Sequence, residues 1–498
     1  MPIHIGLTHI DCRMKDRTVL ILSLVAAVIM AVGLHVTQEF RFYNLESVNL
    51  FLFDRAYIVD MILHPGGLAL LFSSFLTQFM CLPYAGTLIT VLLYFSAGLL
   101  VFRIMSAVAA KGPLMAGLSF IPVAFLFLCL ENDYYMYHGH LAFILALASI
   151  LAYSSLPQEK PAIRYILGLI MVPLLYQAIG SAAVVFAVSA FVLEIIRSGF
   201  RGLAAAVYPL ILLLTALAYV RFSLADGWEP ALTPFMYYSN PSTYFFPLYA
   251  WASVPLLMVV SWALAGLNLK RKASVAAAAA GLACSFFIAW NIYGKVHSNV
   301  HYRLVTEQHL AEKGEWDEII RTADRRFPTF FISYMNLALA QKGALVELFA
   351  YYNPQDLTSL MYPVKNLKTG FTLQSIVYES WGYHAAARQA AFDANLVTPG
   401  MHNPRQLMTL VRTNIALESY DVAEKYIRIL EKTLFYRGWA SEASSALGKS
   451  SGALLPEPDE YLRYDGLKGD MKDMLDADPS QPILSQFYEL FGILEGVK

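Results

Sequence analysis

Charge is scarce in this chain, and unevenly spread. Only 15% of its 498 residues are Asp, Glu, Lys or Arg, against about a quarter in an ordinary soluble domain. Residues 1–293 hold 15 Lys+Arg and 12 Asp+Glu, and residues 294–498 hold the other 21 and 25. The shorter part is therefore the charge-rich one, which implies a membrane domain followed by a soluble domain. The formal net charge of −1 offers no basic face, so nucleic acid is excluded as a partner. Cysteine is nearly absent. Cys12, Cys81, Cys129 and Cys284 show no paired spacing, which excludes a disulfide framework and a cysteine zinc site. There is also no Walker A loop, no GxGxxG after a strand and no GxSxG elbow. ATP-driven transport and serine hydrolysis are left without support. Inverted repeats of the secondary-transporter kind are not evident.

What is present is apolar residue, 57% of the chain, with a mean hydropathy of +0.50. Membrane spans are expected at 18–36, 84–102, 114–130, 138–156, 165–177 with 181–196, 203–222, 247–267 and 273–293. The first follows Arg13, Lys15 and Arg17 and reads as an uncleaved signal anchor. Met14 is an alternative start to Met1. Segment 67–82 is short and carries Ser73, Ser74, Thr77 and Gln78. If it stops short of crossing, Arg13/Lys15/Arg17, Arg103/Lys111, Lys160/Arg164, Arg197/Arg201 and Lys270/Arg271/Lys272 all share one side. It is therefore expected to be re-entrant or interfacial. The pair 165–177 and 181–196 is expected to turn around Gln177–Ser181. Glu194, one turn from Arg197, is expected to pair with it rather than relay protons.

This arrangement places the N-terminus in the cytoplasm and the C-terminal part in the periplasm of an inner (cytoplasmic) membrane. Three loops on the outer face then carry the chemistry. The first, residues 42–67, is helical in pattern and stops at Pro65-Gly66-Gly67. Tyr57, Asp60 and His64 share one face of such a helix, and Glu46 and Asp54 lie nearby. Carboxylates there suit deprotonation of a hydroxyl, or a divalent ion (Mg or Mn) that neutralises a phosphate leaving group. A solvated surface helix is the plainer alternative. The second loop, ENDYYMYHGH at 131–140, offers Glu131, Asp133, Tyr134, His138 and His140. Acids with aromatics suit sugar hydroxyls, although tyrosine also belongs to the ordinary interfacial belt. The third, 226–247, has prolines that forbid a continuous helix, and Trp228 among aromatics that could line a pocket. His297 and His301 are spaced i, i+4 but lack the acidic residue of a HExxH zinc site.

From residue 294 the pattern changes to amphipathic helices. Helix–turn–helix elements recur at 311–320, 340–349, 379–390 and 416–427, with turns near Gly314, Gly343, Gly382 and Ser419. The spacing of roughly 30–40 residues is that of tetratricopeptide-type repeats. The tail 450–482 reads as loop, and a last helix is expected at 483–495. The expected fold is thus all-α: a polytopic transmembrane domain (1–293, about 8–10 helices) and a soluble TPR-like helical domain (294–498).

Two stretches, HPGGLALLFSSFLTQFMCLPYAG (64–86) and GYHAAARQA…VAEKYIRILEKTLFYRGWA (382–440), resemble an uncharacterised family of Bacteroidota polytopic membrane proteins. That resemblance implies the two-part architecture and no activity. A looser similarity is to the GT-C membrane glycosyltransferases, which use polyprenyl-phosphate sugars. Those enzymes have an acidic first outer loop with interfacial helices, and often an exported C-terminal domain. Glu46, Asp54 and Asp60 occupy that loop here, without the adjacent acidic pair many of them carry. The resemblance implies Asp54, Asp60 and Glu46 as catalytic candidates. Substrate would be bound by Tyr57, His64, Glu131, Asp133, Tyr134, His138, His140 and Trp228. The expected partners are membrane lipids and a polyprenyl-phosphate sugar donor. The alternatives are a non-catalytic envelope scaffold whose repeats bind a partner protein, and, third, a transporter.

Overall fold

The computed structural model describes residues 17–48, 50–108, 113–132, 134–222, 227–239, 245–266, 271–322, 329–345, 348, 368–398 and 402–450. The expected tail loop and last helix, and Asp133, lie outside them. The described residues are helical, and their sole β contact is an isolated bridge between Tyr135 and Tyr238. Contacts divide the chain into two units. Unit 1 comprises Met1–Glu39, Val59–Ser73 and Pro83–His297. Unit 2 comprises Phe40–Ile58, Ser74–Leu82 and Ser298–Lys498.

The helices in chain order begin with α1 (Arg17–Val48), α2 (Arg55–Leu63), α3 (Gly67–Thr77), α4 (Ala85–Val108), α5 (Pro113–Leu118) and α6 (Ile121–Cys129). There follow α7 (His138–Ser154), α8 (Pro161–Ile179), α9 (Ala183–Ser198), α10 (Val207–Arg221), α11 (Trp228–Leu232), α12 (Phe246–Ala263) and α13 (Arg271–Val296). Among the described residues, five stretches are long and apolar enough to cross a bilayer: Leu24–Val48, Ala85–Val108, Pro161–Arg221, Phe246–Ala263 and Val275–Val296. The Pro161–Arg221 stretch contains α8, α9 and α10. Helices α6 and α7 are apolar but shorter. With 11 residues, α3 is about 17 Å long, well short of a ~30 Å hydrocarbon core.

Side-chain exposure supports lipid contact. Leu24, Val28, Val32 and Val36 of α1, Leu88 and Leu92 of α4, and Ile163, Ile166, Ile170 and Leu174 of α8 are all exposed. Each would cost about 2 kcal/mol if left in water, so rows of them mark surfaces that face another apolar medium. The turn between α8 and α9 falls at Gly180, with φ +67°. A Cβ there would strike the Met236 thioether at 2.4 Å, so glycine is required both by conformation and by space.

Within unit 2 the C-terminal part holds α14 (Asn299–Lys313), α15 (Trp316–Thr322), α16 (Thr329–Gln341), α17 (Lys368–Ser380), α18 (His384–Leu396), α19 (Pro404–Ala416), α20 (Tyr420–Glu431) and α21 (Arg437–Ser450). A left-handed residue follows α14, α16, α17 and α19 at Gly314, Gly343, Gly382 and Glu418, the ordinary way to end a helix. One apolar core gathers Leu310, Ile319, Tyr334, Leu337, Leu373 and Val377. A second gathers Leu407, Leu410, Val411, Ile427 and Leu430, and it includes Leu50 and Leu52. The strip after α1 is thus built into the core of unit 2.

Candidate functional site

The four antiparallel helices α7, α8, α9 and α10 pack on one another, so their loops gather at two opposite ends of unit 1. At one end lie residues 131–140, 177–182 and 231–239. Met136 N–H donates to the Tyr237 carbonyl (2.8 Å), and Ser239 N–H donates to that of Tyr134 (2.9 Å). Tyr176 hydroxyl donates to the Ala231 carbonyl (2.9 Å), and Ser181 hydroxyl to that of Thr233 (2.7 Å). The Tyr237 hydroxyl donates to the Ile179 carbonyl and accepts from Ala182 N–H. Residues 62–66 join them. The Gln177 amide donates to the Ile62, Leu63 and His64 carbonyls (2.8, 3.0 and 3.2 Å), capping the end of α2. All three loops singled out in the sequence therefore reach this end, the first through residues 62–66, with the turn at Gly180 among them.

Glu131 is the central acid at this end, its side chain fully buried. Gln38 of α1 donates its amide to Oε1, and His297 Nδ1 lies 2.8 Å from Oε2. The His297 ring stacks on Tyr293 at 4.7 Å and stays slightly exposed. A carboxylate beside Nδ1 favours the tautomer that carries the proton there. This pairing spans 166 residues. The sequence showed both members but carried no signal that joins them.

Beside the dyad, aromatic rings surround two buried histidines. His140 touches Tyr94, Tyr135 and Tyr137 at ring distances of 5.6, 5.2 and 5.3 Å, and His138 touches Tyr237 at 5.2 Å. Four buried polar atoms here lack a hydrogen-bond partner: Tyr135 Oη, His138 Nδ1, His140 Nε2 and Trp251 Nε1. Buried polar atoms are normally satisfied, so these await water or ligand hydroxyls. Burial pushes the Tyr135 phenol well above its ordinary range. Tyr134 and Trp228 are exposed at this end.

The acids of the 42–67 segment are placed differently. Glu46 is buried in unit 2. It accepts from Arg405 Nη2 at 2.7 Å and from the Tyr436 hydroxyl at 2.7 Å. Arg405 also lies 3.2 Å from Glu312 and stacks 3.5 Å over the Tyr43 ring. The surrounding acids and Tyr43 hold the Arg405 charge firmly against burial. Asp54 caps α2, accepting from Ala56 N–H (2.7 Å) and Tyr57 N–H (3.4 Å), and pairs with Lys432. Lys432 first, and then the two backbone donors, hold its carboxyl below the usual range. The Tyr57 hydroxyl donates to the Leu50 carbonyl (3.1 Å). Asp60 and His64 are exposed, joined by a bond from His64 Nδ1 to the Asp60 carbonyl (2.8 Å). Among the described residues no three His, Cys, Asp or Glu side chains converge as metal ligands.

At the other end of the same helices, Glu194 does not pair with Arg197. Its Oε2 lies 2.7 Å from Arg164 Nη2, and its Oε1 accepts from the Tyr153 hydroxyl at 3.0 Å. Arg197 donates instead to the Ser154 carbonyl at 2.5 Å. Helix neighbours one turn apart are reachable, but Arg164 approaches from α8 inside the bundle, where the fully buried carboxylate points.

A model of a family of unknown function, DUF6057, matches residues 14–489. The chain belongs to this family. No curated protein and no solved structure matches it. The family therefore fixes kinship across nearly the whole chain, and chemistry has to be argued from the residues.

Proposed function

We propose that this DUF6057 protein is a membrane-embedded glycosyltransferase of the GT-C-like kind, taking a sugar from a polyprenyl phosphate on the outer membrane face. The observation that carries the reading is the Glu131–His297 dyad, a buried carboxylate holding an imidazole in the part of unit 1 where residues 135–140 bury unsatisfied polar atoms. Glu131 holds the Nδ1 proton, and His297 Nε2 takes the proton of an acceptor hydroxyl. The acceptor oxygen bonds to the anomeric carbon while the bond from that carbon to the phosphate oxygen breaks. The lipid phosphate leaves, and Glu131 stabilises the imidazolium that forms. Tyr135, His138, His140 and Trp251 offer their free polar atoms to sugar hydroxyls. Glu46 and Asp54, each tied to a cation of unit 2, keep that unit in shape.

The test is sugar transfer from polyprenyl-phosphate donors by the purified full chain. Glu131→Gln and His297→Asn are each expected to lower transfer by about 10²–10⁴-fold at unchanged protein level, with Asp60→Asn close to wild type. Undiminished transfer in both dyad variants would sink the assignment. A second reading, a non-catalytic envelope scaffold with TPR-like repeats that bind a partner protein, is favoured by the structural use of Glu46 and Asp54. It predicts that the dyad variants keep an envelope phenotype that only disruption of unit 2 removes.

A further inference from the structure

The end of unit 1 remote from the dyad carries more positive charge than it neutralises. Arg164 and Glu194 are almost fully buried side chains, and both oxygens of Glu194 are already engaged, by Arg164 and by Tyr153. Tyr153 in turn shares a 2.8 Å bond with Tyr208. Arg164 Nη1 reaches the Pro157 and Gln158 carbonyls at 3.5 and 3.4 Å. Arg197 is left with the Ser154 carbonyl as its acceptor. Two guanidinium groups thus face one saturated carboxylate. Arg164 Nε and Arg197 Nη1 are buried without any hydrogen-bond partner. A buried charge without a counter-ion costs several kcal/mol, and unsatisfied guanidinium donors add to it.

We infer that Arg164 and Arg197 form a binding site for a phosphate group, which the setting assigns to the headgroup of a membrane phospholipid. Guanidinium forks match phosphate oxygens in pairs. Lys160 and Arg201 stand exposed at the rim, with Glu159 as the opposing charge. The 3-10 turn Gly199–Ala206 between α9 and α10 presents Phe200, 93% exposed, and Leu203, 51% exposed. Such side chains suit insertion beside a headgroup rather than contact with water. Exposed Ile163, Ile166 and Leu210 run away from the site along α8 and α10, where acyl chains would lie. The site lies at the opposite end of the helices from the dyad, so it stands or falls independently of the proposed transfer reaction.

The experiment uses the purified full chain in detergent, with lipid binding read by native mass spectrometry and thermal shift. The probes are phosphatidylglycerol, diacylglycerol of the same chains, and inorganic phosphate. Phosphatidylglycerol is expected to bind and diacylglycerol to fail. Arg197→Gln should weaken phosphatidylglycerol at least about tenfold, and the exposed Arg201→Gln should change it far less. Arg164→Lys, which keeps the charge beside Glu194, should weaken it as well. If inorganic phosphate alone gives the same Arg197-dependent shift, the phosphate site stands and free phosphate is its source. Equal binding of diacylglycerol, or full affinity in both Arg197→Gln and Arg164→Lys, would overturn the inference.

Discussion

The two ends of unit 1 each bury a glutamate, and they hold it in opposite ways. Glu194 is gripped by a guanidinium and a phenol. Glu131 is held by an amide and an imidazole, partners that tolerate either charge state of the group between them. A carboxylate paired to arginine is spent on electrostatics. A carboxylate paired to histidine orients an imidazole. The same contrast separates Glu131 from Glu46, which unit 2 binds with Arg405 and Tyr436. Proximity to a loop is thus a weaker guide to chemistry than the identity of the partner.

Removing the charge from each glutamate breaks this comparison most forcefully. Glu194→Gln leaves Arg164 buried and uncompensated, and breaking such a pair costs about 3–5 kcal/mol. Thermal unfolding should show a drop of many degrees, or no folded protein. Glu131→Gln strands no fixed cation, so its unfolding temperature should stay near wild type while transfer is lost. Equal destabilisation of the two variants would show that Glu131 is structural as well.

A fourth buried glutamate sharpens the contrast within unit 2. Glu307 lies on α14 with Arg303 at 2.9 Å from Oε1, and its Oε2 has no partner. Burial outweighs the arginine and raises its pKa from 4.5 to about 7. The folded state therefore holds this proton more tightly than the unfolded chain. The stabilisation is complete below about pH 4.5 and is lost as pH rises through about 7, a span worth about 3 kcal/mol. Glu307→Gln should accordingly be more stable than wild type at pH 8 and match it near pH 5. An unchanged difference across that range, measured by chemical denaturation of the full chain, would show that Glu307 keeps its charge.

Much of the architecture is legible in the sequence because bilayers and helix ends impose local rules. The apolar runs at 84–102, 138–156 and 247–267 overlap α4, α7 and α12, and the short 67–82 segment holds the shorter apolar helix Gly67–Cys81. Gly314, Gly343 and Gly382 each take the left-handed conformation that ends a helix. The long first helix, continuing to Val48, was less visible because Gln38, Glu39 and Arg41 end the hydrophobic run without ending helix propensity. The candidate site was legible only in pieces. ENDYYMYHGH and the 226–247 loop stood out by composition, and they do converge. The dyad did not stand out, because Gln38 lies inside α1 while Glu131 and His297 follow the ends of α6 and α13, and no spacing rule links them. Glu46 and Asp54 looked catalytic for the same reason: Arg405 and Lys432, more than 350 residues away, gave no local sign of claiming them.

Asp54 supplies the smallest effect and the finest test of that last point. Its carboxylate is open to solvent, so screening limits what Lys432 contributes, and the α2 backbone donors act on it as well. The folded pKa lies below the unfolded one. Its stabilisation is therefore present at neutral pH and disappears as pH falls through the folded value, well into the acid range. Asp54→Asn keeps an oxygen for the cap and loses only the charge, so its unfolding temperature should fall slightly at pH 7 and converge with wild type in acid. A full loss of transfer by this variant, at an unfolding temperature within a degree or so of wild type, would return the chemistry to the first outer loop. It would leave Glu131 with the role that Glu194 plays at the other end.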